Sequence, residues 1–208
     1  MQLLLNMIES DTARTIDSFP LVPSLKRIDN QISRLTILIA EMLDLSRMDD
    51  STMELHKTEF DLNTLVVNTV DDIKHSTGFT DIELSFDNEE NVIVADEDRI
   101  GQVLINFITN ALKYATTNNT IDVFVKQRDK TNIAVSVQDY GIGIAKEDQD
   151  KIFNKFFRVN GKNEATYAGF GIGLYLVRQI IERHKGTVEV ESQLGEGSTF
   201  TFIIPINN

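Results

Sequence analysis

The sequence predicts an α+β fold, a two-layer sandwich with a mixed sheet and helices on one face, preceded by an α-helical hairpin. Three observations carry that expectation. From residue 51 onward, short alternating runs are separated by helical periodicity and by turn residues, a pattern that builds a mixed sheet with helices packed on it. Before residue 50 there is no such alternation, only apolar residues three and four apart on either side of a proline-containing break. Glycines gather where a strand ends (Gly141, Gly143) and where a helix begins (Gly169, Gly171, Gly173). The expected division is 1–50 for the hairpin and 51–208 for the sandwich.

In chain order, Leu3, Leu4, Met7 and Ile8 form an apolar stripe that stops at Ser18-Phe19-Pro20-Leu21-Val22-Pro23. Two prolines this close end a helix, because each lacks an N–H and restrains the residue before it. A longer helix starts near Ser24 and carries Leu25, Ile28, Ile32, Leu35, Ile39 and Met42 on one side. Their spacing fits the seam of a helical hairpin or coiled-coil-like dimer, and equally one face of an ordinary globular helix. The polar run Arg47-Met48-Asp49-Asp50-Ser51 reads as a linker.

Beyond it, Met53 to Phe60 alternates as a strand, and Asp61 caps a helix carrying Leu65, Val66, Val70 and Ile73. Residues 82–86 and 91–94 flank Asp87-Asn88-Glu89-Glu90, which predicts a hairpin. Asp96 opens a helix that runs to Tyr114, followed by strands at 121–126 and 133–138. A last helix from Ile172 to Lys185 stops at Gly186, and strands 187–192 and 198–205 close the chain around the turn Leu194-Gly195-Glu196-Gly197.

Composition narrows the function classes. The chain has 208 residues, 41% of them hydrophobic and 25% charged, enough for a sizeable core. Its net charge of −12 repels polyanions, so no nucleic-acid partner is expected. With no cysteine, disulfides and thiolate metal sites are excluded, which fits a cytoplasmic setting. No apolar run approaches the roughly 20 residues that span a bilayer. Any membrane anchoring would come from segments outside this chain.

Three motifs carry chemistry. Asn106, Asn110 and Tyr114 share one helix face with Lys113 beside them, while Val103, Leu104, Phe107, Ile108 and Leu112 form the core face. Asparagine is a poor helix former, so two of them one turn apart invite a reason. An amide oxygen on Mg²⁺ is one, and a solvated face is the other. Strand 135–139 then runs into Asp139-Tyr140-Gly141-Ile142-Gly143. Aspartate there can accept from the exocyclic amine of adenine, and the glycines let the backbone approach a flat base; a simple Asp-led turn is the alternative. Third, Gly169-Phe170-Gly171-Ile172-Gly173 opens a helix whose bared N–H groups suit phosphate, after a polar, lid-like loop containing Lys162. A tightly packed helix start would look the same.

In this order, with the Phe-rich segment Ile152-Phe153-Asn154-Lys155-Phe156-Phe157-Arg158 between the second and third, the motifs resemble the ATP-binding domain of the sensor histidine kinases. The resemblance covers residues 57–208 and implies the Bergerat-type ATP-binding fold shared with gyrase, Hsp90 and MutL. Arg47 and the seam before it resemble the second helix of the family's dimerization and phosphoacceptor domain. The resemblance implies ATP and Mg²⁺ as ligands, with Asn110 on the metal, Asn106 and Lys113 at the phosphates, and Tyr114 against the adenine. Asp139 would read the adenine amine, Gly141 and Gly143 would shape its pocket, Arg158 would sit near the γ-phosphate, and Gly169, Gly171 and Gly173 would hinge the lid. Phe153, Phe156 and Phe157 are expected to pack. Implied partners are a response regulator receiver domain and a second copy joined through the hairpin.

Hydrolytic relatives on this fold keep a glutamate where Asn106 stands, as general base for water. An amide takes no proton, so transfer to an imidazole, which needs little activation, fits better. The family's acceptor histidine is followed by an acidic residue and an arginine-threonine-proline run; none of His56, His75 and His184 has that context. The chain is therefore expected to start just after the acceptor and to be unable to phosphorylate itself. His184, near a helix C-terminus, is expected to favour its charged form. A serine kinase of the anti-sigma type, and a nucleotide-binding or dimerization module without kinase activity, are the competing readings.

Overall fold

In the computed structural model the chain divides into two compact units, residues 1–49 and 50–208. The structure describes residues 54–114, 120–159 and 170–207, together with Leu25, Ile28, Asp29, Gln31, Ile32, Leu35, Thr36, Ile39 and Met42. The stripe at Leu3 to Ile8 and the linker at 47–51 lie outside the described residues. In the first unit all nine named positions are helical. Ile28, Ile32, Leu35, Ile39 and Met42 are 46–57% exposed.

The second unit runs β1 (Thr58–Asp61), α1 (Leu62–Thr77), β2 (Ile82–Phe86), β3 (Val92–Ala95), α2 (Glu97–Tyr114), β4 (Ile121–Gln127), β5 (Asn132–Asp139), α3 (Lys146–Gln149), α4 (Gly173–Arg183), β6 (Thr187–Gln193) and β7 (Gly197–Pro205). Five strands form one mixed sheet in the order β2-β4-β5-β7-β6, and β1 pairs with β3 apart from it. Within the larger sheet β2–β4 is parallel and the other pairs are antiparallel. Alternation sends Ile121, Val123, Val125, Ile133, Val135, Val137, Phe200, Phe202 and Ile204 to one buried face. Helix α2 lies on that face with Val103, Leu104, Phe107 and Ile108, flanked by α1 and α4. Phe107 is fully buried, its ring centroid 5.5 Å from Phe200 and 6.2 Å from Phe202. On the other face Ser136 and Thr201 are half-buried and share a hydrogen bond of 2.8 Å. This is the expected two-layer arrangement.

Caps fix the helix starts. Asp61 accepts from the N–H groups of Asn63 and Thr64, the Thr64 hydroxyl and the N–H of Asn91. Burial pushes its carboxyl upward, but these bonds together hold it below the ordinary range. Asp96 accepts from Arg99 N–H at the start of α2 and from His56 N–H, which holds the chain before β1. The first strand, expected over Met53 to Phe60, is Thr58–Asp61 within the described residues.

One expectation is corrected. Residues 82–86 and 91–94 do not form a hairpin: β2 pairs in parallel with β4, and β3 pairs with β1. The polar turn between them is tied elsewhere. Asn63 donates to the carbonyls of Asn88 and Glu89, Asn91 donates to Asn63, and Asp87 accepts from Gln127 N–H. These bonds carry the chain from the sheet to the start of α1 instead of folding it back.

His184, just beyond α4, is fully buried. Its Nε2 accepts from Asp96 N–H at 3.0 Å and its Nδ1–H donates to the Ile180 carbonyl at 2.8 Å. Only an unprotonated nitrogen accepts from an N–H, so the ring is neutral with its proton on Nδ1. Burial depresses the pKa; the Ile180 carbonyl opposes it, Lys57 adds to the lowering and Asp96 opposes it again. Desolvation thus overrides the helix-end preference for a cation. The unfolded chain binds the proton near the ordinary imidazole value of about 6.5 while the native ring resists, so acid favours unfolding below that pH. The urea midpoint should therefore drop further between about pH 7.5 and pH 5.5 in the native sequence than in His184→Gln. Equal drops would show that His184 is not the source.

Candidate functional site

Helix α2 builds the floor. With Val103, Leu104, Phe107 and Ile108 committed to the sheet, its 3.6-residue period leaves Asn106, Asn110, Lys113 and Tyr114 half-buried beside the core. Asn110 Nδ2 donates to Asn106 Oδ1 at 3.2 Å. That bond uses the amino end of the Asn110 amide and leaves its Oδ1 for another partner. Gly173, the first residue of α4, lies against Asn106: a Cβ there would fall 2.7 Å from Nδ2 and 2.8 Å from Oδ1. The two asparagines are therefore packed, not a solvated face. Lys113 holds its ammonium 4.8 Å from the centre of the Tyr114 ring.

The second motif meets the same helix at its C-terminal end. Asp139 ends β5 and is 4% exposed. Its Oδ1 accepts from Gly141 N–H at 2.8 Å, and its carboxylate also takes the N–H of Ser198. Desolvation raises its pKa, and those two N–H groups pull the other way. Gly141 has no room for a side chain, since a Cβ would overlap the Tyr114 carbonyl oxygen. Gly143, with φ of +65°, sits against the Gln193 carbonyl and Leu194 in the β6–β7 turn.

The third motif closes the side. Helix α4 starts without a side-chain cap from Ile172, the residue before it. Gly171, at φ of +72°, packs on the Phe156–Phe157 backbone, and its carbonyl accepts from Phe156 N–H at 2.9 Å. Arg158 is exposed, one residue past that contact. Gly169, expected in the hinge, and Lys162, expected in the lid, lie outside the described residues. Phe153 is buried against Phe200, with centroids 6.5 Å apart, but Phe156 does not pack as expected. It is 58% exposed with φ of +64°, because the turn that hands its N–H to Gly171 aims the ring outward.

Some of the supporting residues have no signature in the sequence. Ser192 Oγ accepts from Ile144 N–H at 2.7 Å and donates to the Gly197 carbonyl at 2.8 Å, tying the loop after Asp139 to the β6–β7 turn. The glycines around that turn were the available signal, and they read as an ordinary reversal. Among the described residues no three His, Asp or Glu side chains form a metal cluster. A cation held here would rest on an amide oxygen and on the oxygens of its ligand, which suits Mg²⁺ bound with phosphate. Among those residues, too, no helix is long and apolar enough to cross a membrane.

The Gly173–Asn106 contact is testable by itself. Gly173→Ala should displace Asn106 and break its bond to Asn110, seen as shifts of both side-chain amide resonances. Gly101→Ala is the control, because its Cβ would meet only Leu65 Cδ1 at 3.7 Å. It should leave those resonances in place and raise stability by up to about 1 kcal/mol through helix propensity. Unshifted amides in Gly173→Ala would disprove the contact.

Comparison with known proteins agrees with the geometry. Residues 95–208 match the family described as histidine kinase-, DNA gyrase B-, and HSP90-like ATPase. The sensor-like histidine kinase SenX3 of Mycobacterium bovis is 31% identical over 200 residues, covering 96% of this chain and 47% of that protein. The sensor histidine kinase RppB of Synechocystis sp. is 34% identical over 184 residues, covering 88% of this chain and 40% of its own. The chain thus spans less than half the length of these relatives. Among solved structures, the catalytic domain of histidine kinase ThkA superposes with a TM-score of 0.61 at 35% identity, over 74% of this chain and 97% of that one. ThkA in complex with the response regulator TrrA gives 0.71 at 31%, over 99% and 57%. The chain belongs to the histidine kinase-, DNA gyrase B- and HSP90-like ATPase family, and these relatives within it are sensor histidine kinases.

Proposed function

We propose that residues 51–208 bind Mg-ATP and deliver its γ-phosphoryl group to a histidine outside this chain, for relay to a response regulator aspartate. Residues 1–50 contribute a helical dimerization hairpin. The observation that carries this reading is the convergence of three motifs on one helix, Gly173 on Asn106 and Gly141 on Tyr114.

The roles follow from the chemistry of each group. Asp139, buried and with Oδ1 engaged by Gly141, offers its other oxygen to an adenine amine, and Tyr114 offers a ring face. Asn110 would hold Mg²⁺ through Oδ1; the cation, when bound, supplies charge neutralisation at the phosphates. Lys113 and Arg158 add cations in a chain of net charge −12, and the uncapped start of α4 with Gly171 and Gly173 receives phosphate oxygens through N–H groups. Asn106 orients Asn110 and has no basic atom to activate water. That favours transfer to a nucleophile with its own free lone pair, such as a neutral imidazole. His184 cannot serve, since both its nitrogens are engaged in the core. One related kinase has been solved with a response regulator bound, which supports the same kind of partner here.

Labelled ATP, this chain and a separate helical hairpin bearing an acceptor histidine test the reading. Acid-labile, base-stable label on the hairpin is expected. Acid-stable label on serine would point to a protein-serine kinase, and binding without transfer to a non-catalytic module. Asp139→Asn, and Asn110→Asp with its added negative charge beside the triphosphate, should each lower transfer by about a hundredfold or more, beyond the usual loss on removing a metal's outer partner. Full transfer in both would sink the pocket assignment.

The exposed seam on the N-terminal helix supports the dimer. Light scattering should give the mass of two chains for the native sequence and of one for Ile32→Glu/Ile39→Glu. A variant that stayed dimeric would place the interface elsewhere.

A further inference from the structure

The strands that flank Asp139 hold a chain of hydroxyls that the roles above do not use. Ser192 Oγ accepts from Ile144 N–H at 2.7 Å, donates to the Gly197 carbonyl at 2.8 Å and lies 2.9 Å from Ser198 Oγ. A serine hydroxyl has one proton and two lone pairs. The Ser192 proton is spent on Gly197, so in the contact with Ser198 the donor is Ser198. Ser192 is then saturated, and the Ser198 oxygen keeps only acceptor capacity. Ser198 is 6% exposed, pairs with Asp139 across β5 and β7, and gives its own N–H to the Asp139 carboxylate. Both residues stand on the helix-bearing face of the sheet, in line with Val137 and Phe200.

We propose that Ser192 is a positioning residue for base recognition: by taking the Ser198 proton and anchoring Ile144, it keeps the wall beside Asp139 a set of acceptors. Such a wall accepts from the exocyclic amine of adenine. It opposes a base with a carbonyl oxygen at that position, such as hypoxanthine, because two acceptors would face each other without a proton between them. Ser192 touches no nucleotide and acts through Ser198 and the loop. The inference rests on the adenine-nucleotide reading of the site.

Displacement of a fluorescent ATP analogue from the full chain by ATP and by ITP provides the test. Without Ser192, the Ser198 hydroxyl turns and donates to a carbonyl. Ser192→Ala should therefore narrow the preference for ATP over ITP by about threefold to tenfold, the worth of one neutral hydrogen bond. Phosphotransfer at saturating ATP should stay within about twofold, since the phosphate end is untouched. Ser192→Thr keeps the hydroxyl and should restore the preference. In a Ser198→Ala background, Ser192→Ala should change the ratio less than in the native chain, because the proton it controls is gone and only the Ile144 anchor is lost. Loss of stability alone would weaken both nucleotides equally; an ATP-to-ITP ratio unchanged by Ser192→Ala in a chain that binds ATP overturns the assignment of Ser192. A native chain that binds neither nucleotide overturns the adenine reading itself, and this inference with it.

Discussion

Everything at the site depends on backbone approaching backbone where side chains are absent. A Cβ on Gly141 would overlap the last carbonyl of α2, and one on Gly197, where φ is +105°, would overlap the carbonyl of Asp139. These two contacts bring the end of β5, the end of α2 and the β6–β7 turn to one point. Overpacking in a tight interior costs about 1–3 kcal/mol, and here the obstructing atoms are backbone and cannot rotate away. The glycines are therefore not there to loosen the loop. They allow a junction closer than any other residue permits, and Asp139 stands at its centre.

That junction would fail if its polar groups were left unpaired, since each buried orphan costs about 1–3 kcal/mol. The structure pairs them in a definite sense. Asp139 receives two N–H groups, Ile144 N–H goes to Ser192, and Gln149 donates to the carbonyls of Ile144 and Ser192. At the other end of α2, His184 receives the Asp96 N–H while the Asp96 carboxylate caps the helix. Helix α2 is thus fixed at its start by a neutral imidazole and at its end by a glycine contact. Asn106 and Asn110 lie between two anchored ends, which holds their amides in a constant frame.

Much of this was legible from the residues. Periodicity gave α2 and α4 within a residue or two, because each buries one continuous apolar stripe, and alternation gave β4, β5 and β7; the short α3, with no buried residue, had no stripe to show it. Pairing was not legible where strands adjacent in sequence separate in space. The run 82–94 carries a hairpin's composition, but its Asn91 and Asp87 side chains bond to α1 and β4, and such long-range bonds leave no local pattern. The motif residues were found because each is unusual for its element, such as asparagine inside a helix or glycine at a helix start. Ser192 and Ser198 escaped because serine in an edge strand and its neighbour is ordinary; only the register that sets them beside Asp139 gives them a part. Phe156 escaped for the opposite reason. Aromatics usually pack, and a positive φ cannot be read from a sequence.

The amide at position 106 ties geometry to chemistry on the proposed reading. A carboxylate there could take the same bond from Asn110 and would lie equally well against Gly173. It would also set a negative charge beside the phosphates of a bound nucleotide, and a basic oxygen within reach of water. Asn106 keeps the orienting bond, 3.2 Å long, and gives up both of those properties. On the proposed reading, the site would hold its donor nucleotide without an efficient route to hydrolysis. Transfer would wait for a nucleophile that needs no base, and a neutral imidazole meets that condition near physiological pH. On that reading, selectivity for such an acceptor would arise from the amide at position 106, which lies packed against Gly173.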